Sequence, residues 1–126
     1  MTEAVQEAVE EIRRAFSDHP VSVQEEGQGG AHVTVGNLSI GSQYKPERSS
    51  CSFTITFQYP MADVYPHFLD ANVVRKDGKI HLQGFSIAQW QGNAALQISR
   101  RSNHLEPLVD TAALKLKKVL LWIQQQ

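Results

Sequence analysis

Residues 53–68 read FTITFQYPMADVYPHF and change character halfway. Phe53, Ile55, Phe57 and Tyr59 alternate with Thr54, Thr56 and Gln58, the period-2 pattern of a strand with one buried face. Two Tyr-Pro pairs follow, Tyr59-Pro60 and Tyr65-Pro66. Proline has no amide hydrogen and fixes its own φ, so a strand meeting two prolines cannot continue as a central sheet member. The pattern predicts a good strand over 51–59 that feeds a rigid loop lined with aromatic rings.

Working upstream, Val21 and Val23 open a strand, GQGG at 27–30 turns it, and 31–40 sets His32 and Thr34 against Val33 and Val35 in a second strand. The polar, proline-containing segment GSQYKPERSS, 41–50, reads as a surface loop. Downstream, Lys76-Asp77-Gly78-Lys79 suits a tight turn, because Asp-Gly tolerates positive φ, and it would join 72–75 to 80–83. Phe85, Ile87 and a turn at Trp90-Gln91-Gly92-Asn93 lead to 94–99, whose state the pattern leaves open. Helices close both ends. Ala4, Val5, Ala8, Val9, Ile12, Ala15 and Phe16 form a helical stripe that should stop near Asp18-His19-Pro20. Asp110 or Thr111 can cap a second helix in which Leu116, Val119, Leu120 and Ile123 share a face, with Lys115, Lys117 and Lys118 largely around the other. Helix, meander, irregular segment, helix is an α+β plan.

The 126 residues fit one domain, 1–126, able to bury about two thirds of its unfolded surface. A formal charge of -1 argues against nucleic acid as the main partner, since phosphate binding normally leaves a clear basic excess. One cysteine excludes an internal disulfide and a multi-cysteine zinc site. No cofactor motif is present: GQGG lacks the Lys-Ser/Thr and helix of a phosphate loop, and there is no Gly-x-Ser-x-Gly elbow. The five histidines show no i, i+4 metal pair. The acidic, periodic start is unlike a signal peptide, and no run approaches the ~18 apolar residues of a membrane span. The expectation is a cytoplasmic protein, monomer or homodimer, without a membrane partner.

The order helix, meander, F-x-I-x-F strand, Tyr-Pro pairs and late helix resembles the ubiquitin-conjugating-enzyme (UBC-like) superfamily, including its bacterial and noncatalytic branches. That family ends the third strand of its four-stranded meander in a Phe-Pro-x-x-Tyr-Pro-x-x-Pro-Pro element, whose place Tyr59-Pro60 and Tyr65-Pro66 would take. Residues 99–123, SRRSNHLEPLVDTAALKLKKVLLWI, are similar to the family's turn and leucine-spaced helix, with Leu105-Glu106-Pro107 at the turn. The chain departs from the pattern in three places. Four residues separate Pro60 from Tyr65, Leu69-Asp70 replaces a proline pair, and no His-Pro-Asn triplet occurs. The family interval places the catalytic cysteine near Gln97, and an amide is no practical nucleophile for thioester transfer. The resemblance therefore implies a noncatalytic module that binds a ubiquitin-like protein or a conjugation-system enzyme.

Cys51, the lone thiol, shares the parity of the buried face, where cysteine acts as a small apolar residue; a displaced nucleophile is its alternative role. Tyr59, Pro60, Tyr65, Pro66 and Phe68 are the recognition candidates, because rigid aromatics give contact area at little entropy cost. Arg100 and Arg101 could grip a carboxylate as guanidinium forks. His67 and His104 suit surface or capping roles better than that of a general base. Of the two tryptophans, Trp90 and Trp122, one is expected as a core plug near a turn and the other as helix-end packing. A secretion-chaperone-like dimer shares the α+β plan and is the remaining alternative.

Overall fold

The computed structural model describes residues 1–126. Helix α1 (Glu3–Ala15) starts where Thr2 Oγ1 accepts the Val5 N–H at 3.1 Å, satisfying one of the donors a helix start leaves free. It buries Val5, Ala8, Val9 and Ile12. Strands β1 (Val21–Glu25), β2 (Ala31–Ser39), β4 (Arg48–Ile55), β5 (His67–Asp70), β7 (Phe85–Trp90) and β8 (Asn93–Ile98) form one sheet in the order β1-β2-β4-β5-β8-β7. Every neighbouring pair is antiparallel. A separate ribbon pairs β3 (Tyr44–Lys45) with β6 (Val74–Arg75). Helix α2 (Ala112–Gln124) is capped by Thr111, whose Oγ1 accepts the Leu114 N–H at 3.2 Å.

One face of the sheet and the apolar sides of both helices share a single core, with Ile12, Phe53, Ile55, Ile98, Leu116 and Ile123 fully enclosed. The opposite face is polar and aromatic. There His32 Nδ1 meets Thr54 Oγ1 at 2.9 Å, Thr34 meets Ser52 at 2.8 Å, and Trp90 packs on Phe68 and His32. No helix is long and apolar enough to cross a membrane.

The sheet has six strands where four were expected, because 85–90 and 93–98 close as a tight hairpin and add to β5. Gln91 and Gly92 both take positive φ (48° and 83°), the two-residue reversal whose twist suits a hairpin. The strand expected over 51–59 stops at Ile55, so Phe57 is 49% exposed instead of buried. The 41–50 segment is more than a surface loop. Tyr44 is fully buried, its hydroxyl donates to the Ile123 carbonyl at 2.9 Å, and Gln43 Nε2 donates to the Gln124 and Gln126 carbonyls, so this segment closes the C-terminal end of α2. The 76–79 turn forms, with Gly78 at φ +77° donating to the Arg75 carbonyl. Its expected strand partner does not. β6 pairs with β3 instead, held by Lys76 N–H donating to the Gln43 carbonyl at 2.9 Å, which leaves Ile80 88% exposed.

Candidate protein-binding site

The loop that leaves β4 folds back toward the start of α2. Tyr59 N–H donates to Thr56 C=O and Met61 N–H to Gln58 C=O, making successive turns. The Tyr59 ring packs against the core and its hydroxyl accepts the Ala112 N–H at 3.1 Å. Burial raises its pKa, partly offset by that backbone donor. Thr111, besides capping α2, donates through Oγ1 to Glu11 at 2.7 Å and so ties α2 to α1.

Beyond Tyr59 lies an ionic latch. Lys115 Nζ donates to both Asp63 oxygens at 3.1 and 3.0 Å and to Ser102 Oγ at 2.8 Å. Ser102 returns its N–H to Asp63 Oδ2 at 2.7 Å and its hydroxyl to Oδ1 at 2.9 Å. Burial alone would raise the Asp63 pKa, but the Ser102 N–H, the Lys115 ammonium and the Ser102 hydroxyl together hold it below the usual carboxylate value. The sequence reading placed Lys115 largely on the exposed side of α2. It is 7% exposed, and its position four residues before Val119 on the apolar stripe was the available signal. The latch joins three segments, and Lys115 is fully engaged as a donor.

The candidate residues divide between surfaces. Tyr59 is turned inward as a support for α2. Phe68 lies on the opposite face of the sheet against Trp90, ring centroids 5.1 Å apart. Tyr65 and Pro66 stay half-buried near the rim, and the Arg101 guanidinium sits 4.5 Å above the Tyr65 ring. Arg101 and Ser99, as hydrogen-bond partners, lower the Tyr65 pKa. Arg100 stands 4.7 Å above Trp122, which stacks on Phe85 at 5.2 Å. Neither arginine has a carboxylate within ion-pair distance. Held on the Trp122 ring face, Arg100 keeps its in-plane N–H fork available for an anion, whereas Arg101 also hydrogen-bonds Tyr65. The two arginines line a polar cavity of about 290 Å³ together with Trp122, Lys115, Lys118 and the Asp110 carboxylate that pairs with Lys118.

Chemistry is harder to find. Cys51 is wholly buried on β4 between Val35 and Leu69, and burial pushes its pKa up to about 12 despite the Phe68 backbone hydrogen bond, with Asp70 adding to the rise. A thiol held protonated and out of reach is no nucleophile. Gln97 sits mid-strand on β8, between Phe68 and Ser86, donating to Ser99 Oγ at 3.1 Å. His67 is not a surface or capping residue. It is fully buried, packs 5.0 Å from Phe53, and has no partner on either ring nitrogen. Burial lowers its pKa to about 3, Lys115 adding to the depression and Asp63 opposing it. His104 is exposed at φ 56°. Trp90 is half-buried on the outer sheet face and is no core plug; Trp122 fits the helix-end role, its ring closing over Gly84. No group of three or more His, Cys, Asp or Glu side chains is placed to hold a metal ion.

Sequence reasoning missed the apolar side chains left outside the core: Ile80, Ile87, Leu108 and Met61 are all largely exposed. Compared with protein-family models, curated proteins and solved structures, the chain has no significant match to any of them.

Proposed function

We propose that this chain is a UBC-like domain without a catalytic cysteine, working as a binding or scaffold module in the cytoplasm for a ubiquitin-like protein or a conjugation enzyme of a bacterial ubiquitin-like or antiphage system. The observation that carries this reading is the burial of Cys51, the chain's only sulfhydryl, which removes the group that acyl capture would need. The Tyr-Pro loop fastened to the start of α2 by Tyr59 and the Asp63–Lys115 latch supports it further. It builds a rigid shoulder beside Tyr65, Arg100 and Arg101. That loop also weighs against the secretion-chaperone alternative.

Isothermal titration with a bacterial ubiquitin-like protein and with its conjugating enzyme tests the reading. Binding of either, unchanged in Cys51→Ala and weakened in Arg101→Gln, is the expected result. Absence of binding to both removes the reading.

A further inference from the structure

The sheet ends on one side in β7, which pairs only with β8; the 78–81 segment stands across a groove from it. Because Trp90 and Asn93 flank a two-residue turn, they form a hydrogen-bonded pair, and the alternation continues through Ala88 with Ala95 and Ser86 with Gln97. Ser99 N–H donating to Gly84 C=O at 2.8 Å keeps the same phase. Phe85, Ile87 and Gln89 therefore turn their backbone groups away from β8, toward the open edge. Only the Phe85 N–H finds a partner there, the Leu82 carbonyl at 3.3 Å.

An open edge of this kind is ordinarily blunted by lysine, proline, a bulge or a covering loop. The other edge strand is guarded: Arg13 donates to the Val21 carbonyl at 3.0 Å and Glu25 binds the N-terminal ammonium at 2.8 Å. β7, FSIAQW, carries no charge and no proline. Its Ile87 side chain is 94% exposed and, with Phe85, Val74 and Ile80, lines a groove of about 490 Å³ between β7 and the 74–81 segment, whose lining also includes Lys79 and Arg75, the latter paired with Asp77. At the Phe85 end of the strand the stack Phe85, Trp122, Arg100 brings in a cation with no carboxylate partner, and Arg101 follows it.

We infer that the free edge of β7 takes an extended, uncharged apolar peptide segment as an antiparallel added strand, whose C-terminal carboxylate is received by Arg100. The direction follows from the chain. β7 runs away from Arg100, so a guest antiparallel to it runs toward Arg100 and ends there. Main-chain bonds to Ile87 and Gln89 supply the register, alternate guest side chains enter the groove, and the guanidinium reads the terminus. Charge complementarity favours this occupant over a second copy, because pairing β7 with β7 offers Arg100 no anion. The inference rests on the binding reading above and names the part of the partner that docks.

The test is fluorescence anisotropy with a labelled hexapeptide of alternating valine and threonine, prepared with a free α-carboxylate and as the amide. The free acid should bind and the amide should bind at least about tenfold more weakly, the scale of one charge-assisted hydrogen bond. Arg100→Gln should erase the difference between the two peptides, and Ile87→Lys should abolish binding of both. Both side chains are exposed, so circular dichroism should report intact variants. Equal binding of acid and amide, no binding of either, or an Arg100→Gln variant that still discriminates overturns the inference. A dimer in sedimentation equilibrium that Ile87→Lys dissociates overturns it as well, since the edge would then belong to a second copy. Failure of the peptides while the intact ubiquitin-like protein still binds leaves the binding reading standing and places its contact elsewhere.

Discussion

Replacing His67 by leucine should flatten the acid side of the stability profile. The imidazole is fully enclosed, touches Phe53, and faces Lys115 of α2 and Asp63 of the Tyr-Pro loop. Its pKa falls from 6.5 to about 3 on folding. A lowered pKa means that the unfolded chain takes up the proton first. Its contribution is present above pH 6.5 and is lost as the pH falls toward 3. Between pH 7.5 and 5.0 the unfolded imidazole gains its proton and the folded one does not, which at about 1.4 kcal/mol per pH unit costs about 2 kcal/mol. Asp63 titrates below this window, so it does not contribute. Urea unfolding followed by tryptophan fluorescence at the two pH values reads the difference directly. With a slope of about 2 kcal/mol per molar urea, the native midpoint should drop by about 1 M more than that of His67→Leu. The variant should also gain at pH 7.5, because removing two unpartnered ring nitrogens outweighs the lost aromatic contact, about 1–3 against about 1 kcal/mol. Equal midpoint shifts in the two proteins would refute the argument and mean that His67 can be protonated in the folded state.

Three further outcomes follow from the same geometry. Asp63→Asn should destabilise by about 2–3 kcal/mol at pH 7, less than a fully buried pair because about a fifth of the Asp63 side chain is exposed (21%); the penalty should fade below about pH 4, where the native carboxylate begins to lose the advantage of its lowered pKa. Chemical denaturation across pH 3–7 checks both parts. Gly84→Ala should cost about 1–3 kcal/mol, since Gly84 has φ +97° and an added Cβ would stand 2.7 Å from Trp122 Cη2; a thermal melt measures it, and displaced Trp122 should alter the emission spectrum. Cys51 should react with a disulfide reagent only through unfolding, so its labelling rate should rise with urea in step with the unfolded fraction, and fast labelling in native buffer would contradict its burial.

Local periodicity carried much of the fold. The α1 stripe, the alternation of Val33 and Val35 with His32 and Thr34, and Thr111 as cap all lie in residues that touch within one element or across one turn. What escaped was decided by partners distant in sequence. Ile80 and Leu82 alternate like strand residues, yet β6 pairs with β3, thirty residues upstream, and 80–83 is left without a strand. Tyr44 reads as loop because its burial comes from α2, 79 residues later. Of the candidate site, Arg100, Arg101 and Tyr65 were legible as residue types, whereas their stacking partners were not. Phe68 and Tyr59 were grouped by nearness in sequence, but strand parity sends Phe68 to the outer face and the Tyr59 hydroxyl is taken by α2.

The most direct measurement is intact-mass spectrometry, without reductant, of the chain incubated with a bacterial ubiquitin-like protein, its activating enzyme and ATP. The account predicts the chain at its unmodified mass after denaturation, with any complex seen only under native conditions. A covalent adduct that dithiothreitol cleaves and Cys51→Ala abolishes would contradict it.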